Sequence, residues 1–418
     1  IGLFGFIFAV YSINFLWSSV VERIKLPILG NVLGQRRSWI LLTQIGVVVA
    51  SYQFFVLDPQ THLAGLALAG LILAVCSSTQ DIAVDAYRID RIGIENTKLM
   101  SAGAAMATAG WWTGYGGLGT IPFILADFPN WQWNQVYLVL TAIMASLTLV
   151  VLFVKEPQSN RDETHKTIEQ SFLRCIPSHK SLTLSILAIM LGVMAVMAYA
   201  GLKFPAWPTE LFDRSYAPFI AGALGIFMIF LLGRQLGALH SAASSSTPTL
   251  SNAKINGFHK SLAWMLVTFV SPIHEFFNRN GVKFALSILL FIFLFKIGEA
   301  FLGRMSIVFY KEVGFSNTDI GIYSKLMNWW VTIVFSLIGS VFTIRYGVLK
   351  GLVIGGIAMS ASNLLFALIA VVGPSKPLFA ITVFVDGFTS AWGSVAFVAL
   401  LSVLCNKAFT ATQYALMA

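Results

Sequence analysis

The segment CSSTQDIAVDAYRIDR (76–91) places Asp81 and Asp85 four residues apart, with Arg88 three further on. On a helix all three share one face. Two carboxylates one turn apart repel when both are ionised, and a proton held between them relieves that repulsion. Such a pair has the chemistry of a proton-coupled carrier. A second reading stands beside it, in which Asp85 and Arg88 form a salt bridge that only positions the helix. Ser77, Ser78 and Gln80 add hydroxyl and amide groups to the same turns. In LFKIGEAFLGRM, Lys296 and Glu299 are three apart and can pair with each other. They then serve either as a coupling device that changes partners or as a permanent structural ion pair. Further isolated polar groups are Lys325 and Asn328 in GIYSKLMNWW and Asp386 in VFVDGFTS. Lys325 has a plain alternative, snorkelling to the membrane surface. Trp111, Trp112 and Tyr115 in AGWWTGYGGLGTIP, with Trp329 and Trp330, offer flat faces for a sugar ring, or serve as packing within a bundle.

These groups are conspicuous because of what surrounds them. Of 418 residues 57% are apolar and 11% charged, far from the roughly 25% charged of soluble domains. A soluble fold of this size has no room to hide so much apolar surface, so the solvent is lipid. A bilayer core needs about 20 apolar residues per helix. Eleven windows qualify: 1–21, 38–56, 63–87, 99–125, 134–154, 181–204, 216–233, 282–303, 320–343, 351–372 and 377–405. Alternating segments of the β-barrel kind are absent, so the expected fold is an all-α polytopic bundle. Twenty of the 27 Lys and Arg residues fall on one side of these crossings, among them Arg23, Arg36, Arg37, Arg88, Lys155 and Lys350. That side is cytoplasmic, and the net charge of +9 is a topology signal rather than a nucleic-acid footprint. An ionisable residue within a span marks a pathway by default, which singles out the residues named above. The span at 99–125 also carries a Gly110/Gly114 pair with the spacing of a close helix contact.

Two long connections interrupt the bundle. Residues 155–180 form a charged cytoplasmic loop, and 234–281 a second, with a low-complexity stretch and then an apolar run of nine around Trp264. That run is too short to span and suits an interfacial helix. The domains expected are an N-terminal half (1–154), two inserted membrane helices (181–233) and a C-terminal half (282–418). The chain starts at Ile1 within an apolar run, and the expectation is an internal portion of a longer membrane protein. The three cysteines form no CxxC or Cys/His cluster, and no HExxH, Ser/His or nucleotide-binding glycine motif occurs. No cofactor, metal or enzyme activity is expected.

SSTQDIAVDAYRID resembles the corresponding segment of the muropeptide permease family, the anhydromuropeptide importers of Gram-negative inner membranes. NFLWSSVVERIKLP, LGQRRSWILLTQ, FKIGEAFLGRM, YKEVGFS and TATQYAL are similar to that family too. A TQD-I-x-x-D segment also occurs in the related acetyl-CoA transporters of the endoplasmic reticulum. The resemblance implies a major-facilitator core with two extra helices between its halves, core helix 2 at 1–21, core helix 4 at 63–87 and core helix 7 at 282–303. It implies that the terminal core helices lie outside this chain. It further implies proton-driven uptake of N-acetylglucosaminyl-1,6-anhydro-N-acetylmuramic acid and its peptides. Coupling and gating would then rest with Asp81, Asp85, Arg88, Lys296 and Glu299, with Arg36 and Arg37 in a cytoplasmic gate loop. Gln80, Trp111, Trp112, Tyr115, Lys296, Lys325, Asn328, Trp329, Trp330 and Asp386 would meet the substrate, with protons and the bilayer as the only other partners. Acetyl-CoA or another solute is the alternative cargo, and a receptor without transport the alternative class.

Overall fold

The computed structural model describes Ile7, 9–126, 128–129, 131–157, 161–176, isolated positions between 184 and 242, 255–316 and 319–418. Most of the expected inserted helices at 181–204 and 216–233, and residues 1–6 and 8 of the window 1–21, lie outside these residues. No strand occurs among the described residues, and six helical segments are long and apolar enough to cross a membrane. The protein is an all-α polytopic membrane protein.

Two compact units partition the chain, 1–159 with 280–418, and 160–279. In the first, α1 (Phe15–Arg23), α2 (Gln35–Val56), α3 (Leu63–Ile92), α4 (Thr97–Trp112) and α5 (Trp133–Thr148) come from the N-terminal part. In the second unit lie α6 (Arg161–Cys175), α7 (Gly257–Met265) and α8 (Ser271–Asn280). The first unit resumes with α9 (Val282–Val313), α10 (Asn328–Tyr346), α11 (Val348–Val372), α12 (Lys376–Leu404) and α13 (Thr410–Met417). Apolar side chains such as Val49, Leu68, Ile357 and Leu364 stand exposed on the outside, where only lipid makes them favourable. α12 is the axis of this unit: 56% of its apolar window is buried, against 17% for Trp133–Phe153, and α4, α10 and α11 pack on it. Small residues make that possible, as where Ala104 and Ala105 of α4 meet Val395 and Ala399 of α12.

The helix ends are held by groups from elsewhere in the fold. Gly34 enters α2 at φ 89°, a left-handed conformation that favours glycine, and a side chain there would collide with Glu156. Glu156 instead accepts from the Arg36 and Arg37 amides at 2.8 and 3.1 Å, capping the positive end of α2. Arg37 in turn donates to the Val151 and Leu152 carbonyls, closing the helical end that follows α5. Arg36 and Arg37 therefore belong to the first turn of a helix, not to a loop.

Two of the expected spans change helix type along their length. After α4 the chain passes through a π-turn (Thr113–Gly117) and a 3-10 turn (Leu118–Thr120) into a short helix, Ile121–Ala126. Gly114, Gly116, Gly117, Gly119 and Pro122 supply the reason: they offer little side-chain packing to hold a regular helix. α10 is likewise preceded by a π-helical stretch, Ile320–Met327.

The second unit departs from the expected pair of loops. α6 has acidic residues (Asp162, Glu163) in its first turn and Arg174 in its last, matching the helix dipole. Its Phe172 and Cys175 pack with Leu262, Ala263, Leu266 and Val267. Part of the apolar run around Trp264 thus contributes to a local core, while Met265 and Phe269 stay exposed. Burial there pushes the Cys175 thiol up from its usual range.

Candidate functional site

The carboxylates on α3 are arranged as their spacing dictates, but they have different surroundings. Asp85 accepts from Arg88 Nη2 at 3.0 Å, with its side chain 28% exposed. Arg88 reaches further: Nη1 donates to Ser402 Oγ on α12 at 3.1 Å, and the guanidinium lies 5.6 Å from the ring centre of Tyr414 on α13. Asp81 is exposed and forms no ion pair among the described residues. Polar groups lie on the neighbouring turns, for Trp17 Nε1 donates to Thr79 Oγ1 at 3.0 Å. Gln80 is half-buried beside it. One carboxylate of the pair is committed to a cation and the other is open to solvent.

At the cation-rich end, a buried cluster joins four helices. Arg36, 1% exposed, donates to Glu22 Oε1 at 2.6 Å and to Asp90 Oδ2 at 2.9 Å. The other Glu22 oxygen accepts from the Ala411 and Thr412 amides at 2.5 and 3.3 Å, at the start of α13. Thr410 Oγ1 donates to Asp90 Oδ1 at 2.8 Å. A carboxylate at the positive end of a helix, held there by an arginine, is stable while buried. Lys407 and Glu95 pair near the surface, an interaction that holds the Glu95 carboxyl below its usual range. Sequence reasoning singled out neither Glu22 nor Asp90 as a site residue. The available signal was that one buried cation beside a helix start calls for anions on the neighbouring helices.

Farther along the first unit, the two spans with π-helical stretches meet. Lys325 Nζ donates to Tyr115 Oη at 2.8 Å and stands 4.7 Å from the centre of its ring. Trp111 stacks on Tyr115 at 5.1 Å, and Trp112 meets both edge-on. Trp329 lies against Gly116 and Gly117, where a Cβ on Gly117 would be 2.8 Å from its ring. The close-approach glycines are therefore Gly116 and Gly117. Nothing lies within 4 Å of a Cβ placed on Gly110 or Gly114. Trp329 Nε1 and Asn328 Oδ1 are buried without a hydrogen-bond partner. Trp111, Tyr115 and Trp330 are 62%, 52% and 57% exposed. This wall combines a cation, exposed ring faces, one spare donor and one spare acceptor. Lys325, for which the sequence allowed simple snorkelling, is turned onto an aromatic ring of the other half.

Two expected partners remain apart from this wall. Lys296 stands 5.4 Å from the ring centre of Phe397, which itself stacks on Phe295 at 4.3 Å. The side chain of Glu299 lies outside the described residues, and with it the expected Lys296–Glu299 pair. Asp386 on α12 is half-buried and faces Ser362 of α11 at 3.1 Å. No group of three or more His, Cys, Asp or Glu suited to a metal occurs among the described residues.

No protein-family profile matches the chain. Individual relatives do, over essentially all of it. The chain is 26% identical over 419 residues to the anhydromuropeptide permease of Escherichia coli K12, covering 100% of this chain and 63% of that protein. It is 26% identical over 407 residues to a Rickettsia felis transporter named AmpG 4, covering 97% of this chain and 74% of that one. It is 24% identical over 411 residues to the AmpG 3 transporter of Rickettsia prowazekii, covering 98% and 74%. The chain thus spans less than two thirds of the E. coli permease. The chain is thus similar along essentially its whole length to proteins named as an anhydromuropeptide permease and as AmpG transporters, and it shares with a permease a multi-pass helical fold.

Proposed function

We propose that this protein is a proton-driven secondary transporter that imports N-acetylglucosaminyl-1,6-anhydro-N-acetylmuramic acid and its peptides across a Gram-negative inner membrane. The framework is of the major-facilitator type, with 1–154 and 282–418 as its two halves and 181–233 as two inserted helices. The observation that carries the reading is the wall at which the halves meet: Lys325 on Tyr115, Trp111 stacked beside them, and Trp329 Nε1 and Asn328 Oδ1 unpaired. A muropeptide presents sugar faces, amides and carboxylates. Aromatic faces take the first, the spare donor and acceptor the second, and Lys325 the third. The name of the E. coli relative supports this cargo.

In this reading Asp81 and Asp85 handle the proton. Protonation of Asp85 weakens its hold on Arg88, and Arg88 also bonds Ser402 on the other half. The proton is thereby linked to a contact between halves. Glu22 and Asp90, through the 410–412 turn, keep the cation-rich end closed until that link gives way.

The full-length protein in vesicles with an imposed pH gradient provides the test. Labelled anhydromuropeptide accumulates, and Asp81→Asn or Asp85→Asn removes the dependence on the gradient. Lys325→Met raises the KM by about tenfold, as expected for one charged hydrogen bond worth roughly 1.5 kcal/mol. Uptake blocked by acetyl-CoA but not by unlabelled muropeptide overturns the cargo assignment.

A further inference from the structure

The Ser362 hydroxyl has one proton and two acceptors in reach. Its Oγ lies 2.8 Å from the Met359 carbonyl, one turn back on α11, and 3.1 Å from Asp386 Oδ1 on α12. A serine hydroxyl donates once and accepts through its lone pairs. If Ser362 donates to Met359, the contact with Asp386 is a hydrogen bond only when Asp386 holds a proton and donates it. If Asp386 is ionised, Ser362 must turn and donate to the carboxylate. Both arrangements keep the heavy atoms where they are. Ser362 is 2% exposed, so water does not stand in for either partner.

The surroundings of Asp386 fit a group that exchanges a proton. From α9, Tyr310 lies within electrostatic reach of it. Asn328 packs against Gly387, the next residue on α12, and its Oδ1 is a buried acceptor without a partner. α11 carries only Lys350 among charged residues, at its far end, and α4 only Lys98, at the cation-rich end. On α12 itself Lys376 is bonded to Asp319. Arg88 and Tyr414 meet α12 and α13 near Ser402, 16 residues on from Asp386, or about 24 Å along the helix. The side chains of Glu299 and Arg304 on α9 lie outside the described residues. Among the described residues Asp386 makes no ion pair.

We propose that Asp386 is a second proton-binding site, located in the C-terminal half and separate from Asp81 and Asp85, with Ser362 as the hydroxyl that reverses its bond when the proton arrives. The carboxylate takes one proton from a hydronium ion, which is left as water, and becomes the neutral acid, which donates to Ser362 Oγ. Ser362 transfers its own hydrogen bond to the Met359 carbonyl, and no other bond changes. This extends the proton-driven reading, and it makes each half of the carrier responsible for a proton.

Infrared difference spectra of the full-length protein, acid minus alkaline, test the site without any substrate. The carbonyl stretch of a protonated carboxylic acid appears in the wild type, and the part of it due to Asp386 disappears in Asp386→Asn. In Ser362→Ala that same component persists but is shifted, because the acid has lost its acceptor. A spectrum unchanged in both variants overturns the proposal. If Asp386→Asn does not fold, a band in Ser362→Ala at the wild-type frequency overturns it equally. Uptake of labelled anhydromuropeptide under a pH gradient, measured in parallel on the wild type, separates this site from the transport reading. Uptake without an Asp386 band overturns the site alone. A band without uptake supports the site and overturns the carrier.

Discussion

The Arg36 cluster and the Lys325 wall are both built from a cation of one helix facing groups on others, and they differ in how fully those groups are used. Around Arg36, both Glu22 oxygens and both Asp90 oxygens have donors, and the guanidinium is sealed from solvent, with its Nη1 left without a partner. Around Lys325, the cation has a neutral hydroxyl and a ring face, while the neighbouring Trp329 Nε1 and Asn328 Oδ1 have no partner. A buried network whose carboxylates are all engaged resists change, because removing one member strands the rest. An unsaturated, partly exposed set can still take a ligand. The comparison separates parts that hold shape from parts with binding capacity left over.

The strongest way to break the comparison is at Arg36. Arg36→Met leaves two buried carboxylates without their cation, and the expected loss is about 3–5 kcal/mol of stability. The Tm of the detergent-solubilised protein checks it, with Lys325→Met as the control. Lys325→Met is expected to change Tm little, since its partner is a neutral phenol open to solvent. Equal losses at the two sites would remove the distinction. Glu22→Gln falls between, because the amide oxygen still accepts from the Ala411 amide.

A smaller effect sharpens the description of the wall. Gly117→Val puts side-chain atoms where the Trp329 ring lies. Overpacking of this kind costs typically 1–3 kcal/mol. Combining it with Trp329→Ala is expected to recover part of the loss, giving a coupling of at least about 0.5 kcal/mol in a double-mutant cycle. Strict additivity would show that Gly117 and Trp329 do not depend on each other.

How far these features were legible in the residues depends on whether they are local. Asp81, Asp85 and Arg88 lie within three turns of one helix, so their common face followed from spacing alone, and the Asp85–Arg88 bond is one of its two readings. The ends of α2, α11 and α12 lie within about three residues of the apolar windows, because lipid dictates both length and composition. The changes of helix type after α4 and before α10 were hidden, since an apolar run satisfies the same window whether or not it is regular. Glu22, Asp90 and the 410–412 turn escaped as a set because the turn lies more than 300 residues along the chain from both carboxylates and meets them only through packing. Ser362 shows no pattern around it; its role rests on a single hydroxyl between two acceptors.

The smallest predicted effect lies at the opposite end of the molecule from Arg36, where Asp319 precedes the π-helical stretch. Ser316 donates its hydroxyl to Asp319 Oδ2 at 2.7 Å, and Lys376 approaches Oδ1 at 2.9 Å. The serine bond first, and the lysine second, hold the Asp319 carboxyl below the usual carboxylate range. A carboxyl lowered in the folded state adds stability that is complete above its unfolded pKa, about 3.9, and fades as the pH falls through the lowered value. Lys376 is 64% exposed, so screening keeps the ion pair's share small, and added salt should reduce it further. Asp319→Asn is therefore expected to lower Tm slightly and by a constant amount from neutral pH down to the ordinary carboxylate range. Below that the difference from wild type should close. A gap that persists in strong acid would mean that Asp319 acts through its shape and hydrogen bonds, as the Arg36 cluster does in part, and not through its charge.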